Sequence, residues 1–298
     1  MADQQKIKSG VVALVGPPNV GKSTLLNSLL GQKISIVSPK PQTTRNRILG
    51  ILNGPDHQLL LLDTPGVHKA RSPLNIEMVR IAMETLDEVD AILFMIDVTL
   101  PLPTPAKNPA HILQGTRHPA ILLLNKIDLV PPEKLLPILE VYKEIFPFRA
   151  IIPISALRND GCEILLQELL PLIPEGPKLY PDDIPTDATE RFIVAEIIRE
   201  KIFLETRDEV PYSTAVIIDR FKEDEQKKMV TIDATILVEQ NSQKGIIIGR
   251  QGSMLVKIGS TARHDIETLL GQKVLLKLFV KVEKNWTKNP RILQELGF

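Results

Sequence analysis

One glycine-rich segment constrains the fold of this chain more than any other feature, because its spacing is G-x-x-x-x-G-K-S. Its residues are Gly16, Pro17, Pro18, Asn19, Val20, Gly21, Lys22 and Ser23. The glycines let the backbone curl so that successive N–H groups point at a polyphosphate, and the lysine adds a positive charge for the terminal phosphates. The serine hydroxyl is a ligand for magnesium. An apolar run at 11–15 predicts a buried strand before the loop. A helical pattern begins at Thr24, which we also expect to bind phosphate.

Composition predicts an ordinary globular protein of two domains, since the 298 residues are 43% hydrophobic and 24% charged. The formal net charge is zero, but residues 241–298 hold ten Lys or Arg against four Asp or Glu. This basic segment favours an anionic partner, although a solvated surface would show the same bias. A single cysteine excludes an intrachain disulfide. Without a leader-like start or a membrane-length apolar run, we predict a cytoplasmic location.

Short apolar runs alternate with helical patterns over residues 1–173 and predict a doubly wound α/β domain. The runs at 59–63, 91–97, 120–125 and 150–154 suit strands that are covered on both faces. A proline-rich stretch over 174–189 predicts an interdomain linker. Residues 190–298 follow the order helix–strand–strand–helix–helix–strand, which predicts a smaller α+β domain with strands at 213–219, 230–239 and 273–282 and a turn at 222–228.

Two segments that end predicted strands indicate selectivity for guanine. Asn125-Lys126-Ile127-Asp128 places a carboxylate at Asp128, which can accept parallel hydrogen bonds from the ring N–H and the amino group of guanine. Adenine has no such donor pair, so it would leave the carboxylate unpaired. The second segment offers backbone N–H groups to the guanine carbonyl and consists of Ser155, Ala156 and Leu157.

Two further loops predict contacts around the terminal phosphate and the metal. Asp63-Thr64-Pro65-Gly66 ends a strand, so that Asp63 can hold a magnesium-bound water and the Gly66 N–H can contact the γ-phosphate. Thr44 lies in the loop between the first helix and the next strand, where its hydroxyl can complete the magnesium shell. The predicted magnesium ligands are therefore Ser23, Thr44 and, through water, Asp63.

The order of these motifs over residues 10–173 resembles the translation-factor class of small GTPases. Beyond the linker, Gly249-Arg250-Gln251-Gly252 forms a G-x-x-G pattern between two apolar helices and resembles a KH domain of the second topological type. In such domains this loop clamps the backbone of single-stranded RNA. The resemblance implies RNA contacts at Lys244, Gly249, Arg250, Gln251, Gly252, Lys257 and Arg263. The pattern is also compatible with a plain packing joint between helices.

A P-loop GTPase domain joined to a type II KH domain resembles the Era family of bacterial GTPases over nearly the whole chain. The segments 195–201 and 280–286 and the last six residues also fit that family. The resemblance implies slow hydrolysis of GTP to GDP, binding to the 3′ end of 16S ribosomal RNA, assistance in 30S subunit assembly, and a monomer. It also implies a potassium ion near Asn19, as in related GTPases.

The second loop departs from Ras-like switches, because Gly66 is followed by Val67 and His68 rather than by a glutamine that orients water. We therefore predict slow intrinsic hydrolysis that depends on an assembled site, and we assign no catalytic side-chain base. His68 is a conceivable base, but a solvated loop histidine fits the pattern better. One alternative is a GTP-dependent regulatory switch whose partner is a protein or the inner membrane surface, to which the basic segment would bind peripherally. A second alternative, an ATPase with the same loop, is opposed by Asp128.

Overall fold

The computed structural model describes residues 7–40, 43–66, 73–103, 108–226 and 228–296. The chain divides into two compact units. The first unit comprises Met1–Ser35, Thr44–Arg71 and Asn75–Asp187. The second unit comprises Ile36–Thr43, Ser72–Leu74 and Ala188–Phe298. Within these described ranges, no helix has both the length and the apolar character needed to cross a membrane.

A seven-stranded sheet forms the centre of the first unit. Its strands are β1 (Ile7–Val15), β2 (Ile48–Asn53), β3 (His57–Asp63), β4 (Ala91–Asp97), β5 (Ala120–Asn125), β6 (Ala150–Ile154) and β7 (Glu175–Gly176). The order is β2-β3-β1-β4-β5-β6, and β1, β3, β4, β5 and β6 run parallel. Strands β2 and β7 pair antiparallel with β3 and β1. The four predicted apolar runs are strands, which confirms the α/β class of this unit.

The helices of this unit are α1 (Lys22–Leu30), α2 (Pro73–Thr85), α3 (Leu135–Lys143) and α4 (Cys162–Leu169). Strand β2 was not predicted, because Gly50 in its middle is typical of a break. That glycine instead lets α1 approach the sheet: a Cβ there would lie 2.6 Å from the Cδ1 atoms of Leu26 and Leu30. The parallel strands bring their carboxyl ends, and the loops that follow, to one edge of the sheet.

Residues 174–187, within the predicted linker, belong to the first unit and are held to it by hydrogen bonds. The buried Gln58 side chain accepts from the backbone N–H groups of Leu179 (2.7 Å) and Tyr180 (2.9 Å), and it donates to the Tyr180 carbonyl (2.8 Å). The Ile51 N–H donates to the Pro185 carbonyl (2.8 Å). These bonds satisfy backbone groups at the edge of the sheet that would otherwise lack partners.

The second unit contains a three-stranded sheet in the order β10-β9-β8. In chain order its elements are α5 (Glu190–Glu205), β8 (Ala215–Asp224), β9 (Met229–Val238), α6 (Asn241–Ile248), α7 (Ser253–Leu270), β10 (Lys273–Val282) and α8 (Pro290–Glu295). The helix and strand order confirms the predicted α+β class. The predicted turn at 222–228 is wrong at its start, because β8 continues to Asp224. Lys222 and Glu223 at this end of β8 are both exposed, and an exposed strand end tolerates charged side chains.

The two faces of this sheet are covered to different extents by other parts of the second unit. The inner face packs on α5, α6 and α7 through buried residues such as Ile232, Ile236 and Ile266. On the outer face, Trp286 buries Ala215 and Leu237 at one end, and α8 adds further apolar contacts there. The Trp286 ring N–H donates to the Ser213 carbonyl at 2.9 Å. This cluster therefore covers one end of the outer face.

Residues 36–40 and Thr43 belong to the second unit, where α5 contacts this segment. The buried Glu200 side chain accepts from the Val37 N–H at 2.9 Å. Lys40 donates to the carbonyls of Phe203 and Thr206, and its ammonium thus binds the C-terminal end of α5. Cations are stabilised at that end of a helix, since the last carbonyl groups have no partner within the helix.

Candidate nucleotide site and nucleic-acid interface

The loop between β1 and α1 has the conformation that the glycine spacing predicts. Gly16, Asn19 and Gly21 have φ values of 150°, 62° and 105°. A Cβ on Gly16 would lie 2.2 Å from the Met95 carbonyl oxygen, and one on Gly21 would lie 2.3 Å from the Asn125 amide nitrogen. Both positions therefore require glycine. Pro17, Pro18 and Val20 complete the turn, and α1 begins at Lys22 without a side-chain cap, so its first N–H groups can bind phosphate.

Lys22 is held inside this loop. Its ammonium donates to the carbonyls of Gly16 at 3.0 Å and Pro17 at 2.9 Å, and only 6% of the residue is exposed. Burial lowers the pKa of Lys22 to about 8, against the opposing attraction of Asp63. An ammonium that lacks water gains from a phosphate neighbour, because the phosphate replaces lost hydration with a direct charge contact.

The predicted magnesium ligands Ser23, Thr44 and Asp63 meet at one point. The Ser23 hydroxyl donates to Asp63 Oδ2 at 2.6 Å, and the Ser23 and Thr44 hydroxyls are 2.9 Å apart. Ser35, which we did not predict, also donates to Asp63 Oδ2 at 2.8 Å. No pattern in the sequence identifies Ser35, because it lies in an irregular loop and belongs to no motif or periodic run.

This cluster fits magnesium on two grounds. All its donor atoms are oxygens, and Mg²⁺ is held in nucleotide sites by few protein oxygens together with substrate phosphates. Asp63 Oδ1 is buried and accepts no hydrogen bond, so that it needs a partner. Burial raises the pKa of Asp63, and Lys22, Ser23, Ser35 and Thr44 oppose that shift. A cation at Oδ1 would favour the charged carboxylate further.

The loop that follows β3 lies against the phosphate loop. A Cβ on Gly66 would come within 2.7 Å of the Pro18 backbone, which places the Gly66 backbone beside the predicted phosphate position. Thr64 fixes the start of this loop by donating to the Leu14 carbonyl at 2.7 Å. Val67 and His68, where the sequence departs from Ras-like switches, lie outside the described residues.

Asn125 connects three predicted motifs through its buried amide. Its side-chain N–H donates to the Val20 carbonyl in the phosphate loop at 2.6 Å, and its Oδ1 accepts from the Ala156 N–H at 2.9 Å. The asparagine therefore supports the site from behind, since both bonds are made to protein backbone. One side chain therefore links the phosphate loop to the loop of Ser155 and Ala156.

Asp128 is oriented by Ser155. The Ser155 hydroxyl donates to Asp128 Oδ1 at 2.7 Å, and Arg158, which we did not predict, lies 3.6 Å from Oδ2. The side chain of Asp128 is 9% exposed, whereas Arg158 is largely in solvent. Leu157, by contrast, is 80% exposed. The geometry gives a fixed carboxylate at the edge of the sheet, as recognition of a guanine edge requires.

Lys126 contacts a residue that sequence reasoning missed. It has a φ of 71° and pairs with Asp97 Oδ2 at 2.5 Å. Burial favours a higher pKa for Asp97, but hydrogen bonds from Lys126 and Thr99 outweigh it and leave the pKa below its usual range. Asp97 is the last residue of β4, just as Asp63 and Asn125 end β3 and β5. Its position at the carboxyl edge of the sheet was therefore a signal available in the sequence.

The G-x-x-G loop joins α6 to α7 in the second unit. Gly249 has φ 72° and ψ 178°, a combination that L side chains hardly adopt. Gln251 (φ 52°) and Gly252 (φ 82°) are left-handed. Helix α7 begins after Gly252 with no side-chain cap and no acidic residue in its first turn. Its N–H groups and Arg250 can therefore meet a phosphate together.

The predicted RNA contacts are not equivalent. Arg250, Gln251 and Arg263 are exposed, and Lys244 is half-buried. Lys257 instead forms an ion pair with Glu205 of α5 at 2.5 Å. Two apolar residues beside the loop were missed, Ile246 (47% exposed) and Val256 (70% exposed). Because both are uncovered apolar side chains beside a basic loop, they are suited to contact bases rather than phosphates.

Comparison with known proteins identifies the family of each domain. Residues 11–126 match the family model described as 50S ribosome-binding GTPase, and residues 209–287 match the KH domain model. GTPase Era of Geobacter metallireducens is 52% identical over 291 residues, which cover 98% of each chain. The chain belongs to the Era family of GTPases. A second Era relative, from Syntrophus aciditrophicus, is 50% identical over 98% of this chain and 95% of its own.

Solved Era structures share the complete fold. A variant of Aquifex aeolicus Era bound to GDP.AlF4⁻ has a TM-score of 0.92 at 42% identity and covers 98% of this chain and 99% of its own. An Era complex with MgGDPNP and nucleotides 1506–1542 of 16S ribosomal RNA has the same TM-score, identity and coverage. These matches confirm the predicted class, a P-loop GTPase unit followed by a KH domain.

Proposed function

We propose that this Era-family GTPase binds the 3′ end of 16S ribosomal RNA through its KH domain and assists assembly of the 30S subunit. The observation that carries the proposal is the pairing of a base-selective site, Asp128 held by Ser155, with a G-x-x-G loop whose first helical N–H groups are uncapped. The RNA partner follows the solved Era complex with nucleotides 1506–1542 of that RNA.

In the nucleotide site, Lys22 and the loop amides bind the phosphates, and Asp128 selects guanine. Ser23, Thr44 and Asp63 would hold Mg²⁺, which neutralises charge on the phosphates when it is bound. Asn125 keeps the phosphate loop and the Ser155 loop in register. No catalytic side-chain base is assigned, so we expect intrinsic hydrolysis to be slow.

We include a potassium ion near Asn19 in the proposal. Asn19 is exposed in the phosphate loop with a left-handed backbone, at the rim of the predicted phosphate position. A cation there would supply positive charge where an arginine finger acts in other GTPases. Turnover in KCl should exceed turnover in NaCl at equal ionic strength, and equal rates in the two salts would remove potassium from the proposal.

The principal test separates nucleotide from RNA binding. The Asp128→Asn variant should bind xanthosine triphosphate more tightly than GTP, as measured by calorimetry. Its affinity for RNA should not change. Lys244→Glu combined with Arg250→Glu should abolish binding of the 1506–1542 RNA in fluorescence anisotropy and leave GTP affinity intact. Lys134→Glu combined with Lys143→Glu, an equal change of charge at two exposed positions of the GTPase unit, serves as the control. Loss of both activities in either variant would indicate a folding defect and contradict the assignment.

We further propose a cytoplasmic monomer. The inner membrane surface remains the alternative partner for the basic residues, and liposome pelleting beside the RNA assay separates the two. Vesicles with acidic lipids should not pellet the protein at salt concentrations that retain RNA binding. Sedimentation should give the mass of one chain, and a concentration-dependent larger species would contradict the monomer.

A further inference from the structure

The outer face of the KH sheet carries an unusual row of side chains along β10. Alternate residues of this edge strand point outward, namely Lys273, Leu275, Lys277, Phe279 and Lys281. Successive members of the row lie about 6.6 Å apart, because a strand rises about 3.3 Å per residue. Lysines thus alternate with apolar side chains along one exposed line. This sheet face is distinct from the G-x-x-G loop, which lies on the helical side of the domain.

Phe279 and Leu275 stay exposed although the fold covers other apolar residues of the same face. Trp286 buries Ala215 and Leu237 at one end of the sheet. Phe279, in contrast, is 55% exposed and Leu275 is 44% exposed. Within the described ranges Phe279 is the only exposed aromatic residue. An exposed aromatic ring between two lysines is typical of a stacking surface for a base.

Charges around this ring are mixed, and a small excess of basic residues favours an anionic polymer. Across the sheet, Lys277 is opposite Asp233 of β9, which is opposite Arg220 of β8. Asp233 Oδ1 is buried and accepts no hydrogen bond. Further basic residues on the face are Lys222 and Lys273, and the remaining acidic ones are Asp219, Asp224 and Glu283, which pairs with Lys281 at 2.9 Å. The bases outnumber the acids.

Asp233 adds a feature that a phosphate-only surface would lack. A buried carboxylate oxygen without a donor is costly, and native proteins seldom leave one. The Oδ1 atom is closed to solvent, so a base amine would reach this carboxylate through rotation of the Asp233 side chain. The exocyclic amino group of cytosine, adenine or guanine is then a suitable donor, since Asp accepts from such amines in nucleic-acid complexes. A ring for stacking, lysines and arginine for phosphates, and one acceptor for a base amine together describe recognition of single-stranded RNA.

We propose that this outer sheet face, centred on Phe279, Lys277 and Asp233, is a second contact surface for single-stranded RNA. The inference rests on the proposed function. A G-x-x-G loop clamps about four nucleotides, whereas the RNA in the solved Era complex extends from nucleotide 1506 to 1542. An RNA of that length extends well beyond four nucleotides, and this face supplies the chemistry for further contacts.

The test compares binding of the 1506–1542 RNA to wild-type protein and variants by fluorescence anisotropy. Phe279→Ala should weaken binding on the order of ten-fold, as loss of one stacked base does. Lys277→Glu should weaken binding and reduce its salt dependence. Matched controls on the GTPase unit are Ile164→Ala, which removes a 54% exposed apolar side chain, and Lys143→Glu. Neither control should change affinity.

A second measurement reports contact directly. The chain has one tryptophan, the buried Trp286, so Phe279→Trp adds a single exposed indole. Stacked bases should quench its emission when RNA is added, and affinity should stay near the wild-type value because the ring is retained. In the wild-type protein the same RNA should leave the emission of Trp286 nearly unchanged.

The outcomes separate this inference from the proposed function. If wild-type protein does not bind the RNA, the proposed function fails. If Arg250→Glu weakens binding while Phe279→Ala and Lys277→Glu do not, the function stands and the second surface is overturned. Unchanged RNA affinity with altered sedimentation of Phe279→Ala would also overturn it, since the face would then be a contact between copies of the chain.

Discussion

The nucleotide site and the G-x-x-G loop solve recognition in opposite ways. In the first, Lys22, Asp63, Asn125 and Ser155 are all buried and hydrogen-bonded to backbone or to one another, so the geometry exists before any ligand binds. In the second, Arg250 is exposed and the glycines set only the backbone. The difference teaches that a small, invariant ligand suits a preformed site, whereas a flexible polymer suits exposed side chains on a fixed turn.

Removing the Asn125 amide should break the preformed site most severely. Asn125→Ala leaves the Val20 carbonyl and the Ala156 N–H buried without partners, which costs about 2–6 kcal/mol in stability, guanine affinity, or both. Calorimetric GTP binding and urea unfolding measure the two effects. Gln167→Ala removes an exposed amide from α4 and should change neither. If GTP affinity of Asn125→Ala stays within two-fold, the site does not depend on this connection.

Lys22 should give the nucleotide-free protein a characteristic pH dependence. Its pKa is about 8 in the folded protein, since burial disfavours the ammonium, and 10.5 is its ordinary value. At pH values between 8 and 10.5 the unfolded chain binds more protons than the folded protein. Lys22 therefore makes the free energy of unfolding rise with pH, by up to about 3 kcal/mol. Urea unfolding of wild type and Lys22→Met should therefore diverge as pH rises from 8 to 10.5, in favour of the wild type.

Its control is Lys143→Met, which removes an exposed lysine from α3. Stability curves of this variant and of wild type should run parallel across the same pH range. Parallel curves for Lys22→Met as well would mean that Lys22 is ionised normally in the folded protein.

The two glycines of the RNA loop should respond differently to alanine. A Cβ at position 249 would lie 2.7 Å from the Met254 Cβ, whereas at 252 nothing lies within 4 Å. Gly249→Ala should cost about 3 kcal/mol in the second unit through strain and overlap. Gly252→Ala should cost about 1 kcal/mol, the penalty of a left-handed backbone. Urea unfolding followed by Trp286 fluorescence compares them, and equal losses would contradict the steric argument.

The smallest effect should come from Lys257. Its ammonium pairs with Glu205 near the surface, and such pairs contribute less than about 1 kcal/mol to stability. Lys257→Gln should also leave the salt dependence of RNA binding nearly unchanged, whereas Arg250→Gln should lower its logarithmic slope by about 0.7. Anisotropy titrations at several salt concentrations measure both. A larger slope change for Lys257 than for Arg250 would reverse the assignment.

Local patterns predicted those parts of the structure in which neighbouring residues share one task. The phosphate loop, the apolar strands and helix α5 follow from spacing and composition alone. Strand β2 was missed because Gly50 serves α1, which packs on it, and Ser35 was missed because its partner is Asp63, 28 residues away. Arg158 was missed for the same reason. Contacts made across the fold by single side chains leave no local pattern.

The bonds between Gln58 and residues 179–180 fix where the GTPase unit can be cut. A fragment that ends at residue 173 keeps every nucleotide motif. It loses the Pro174 and Pro185 carbonyls, which accept hydrogen bonds from the backbone N–H groups of Ser9 and Ile51. The buried Gln58 side chain would also lose its hydrogen-bond partners at Leu179 and Tyr180. Truncation after Asp187 retains these bonds, so the shortest independently folding GTPase fragment should extend to about residue 187, well beyond Leu157, the last residue of its nucleotide motifs.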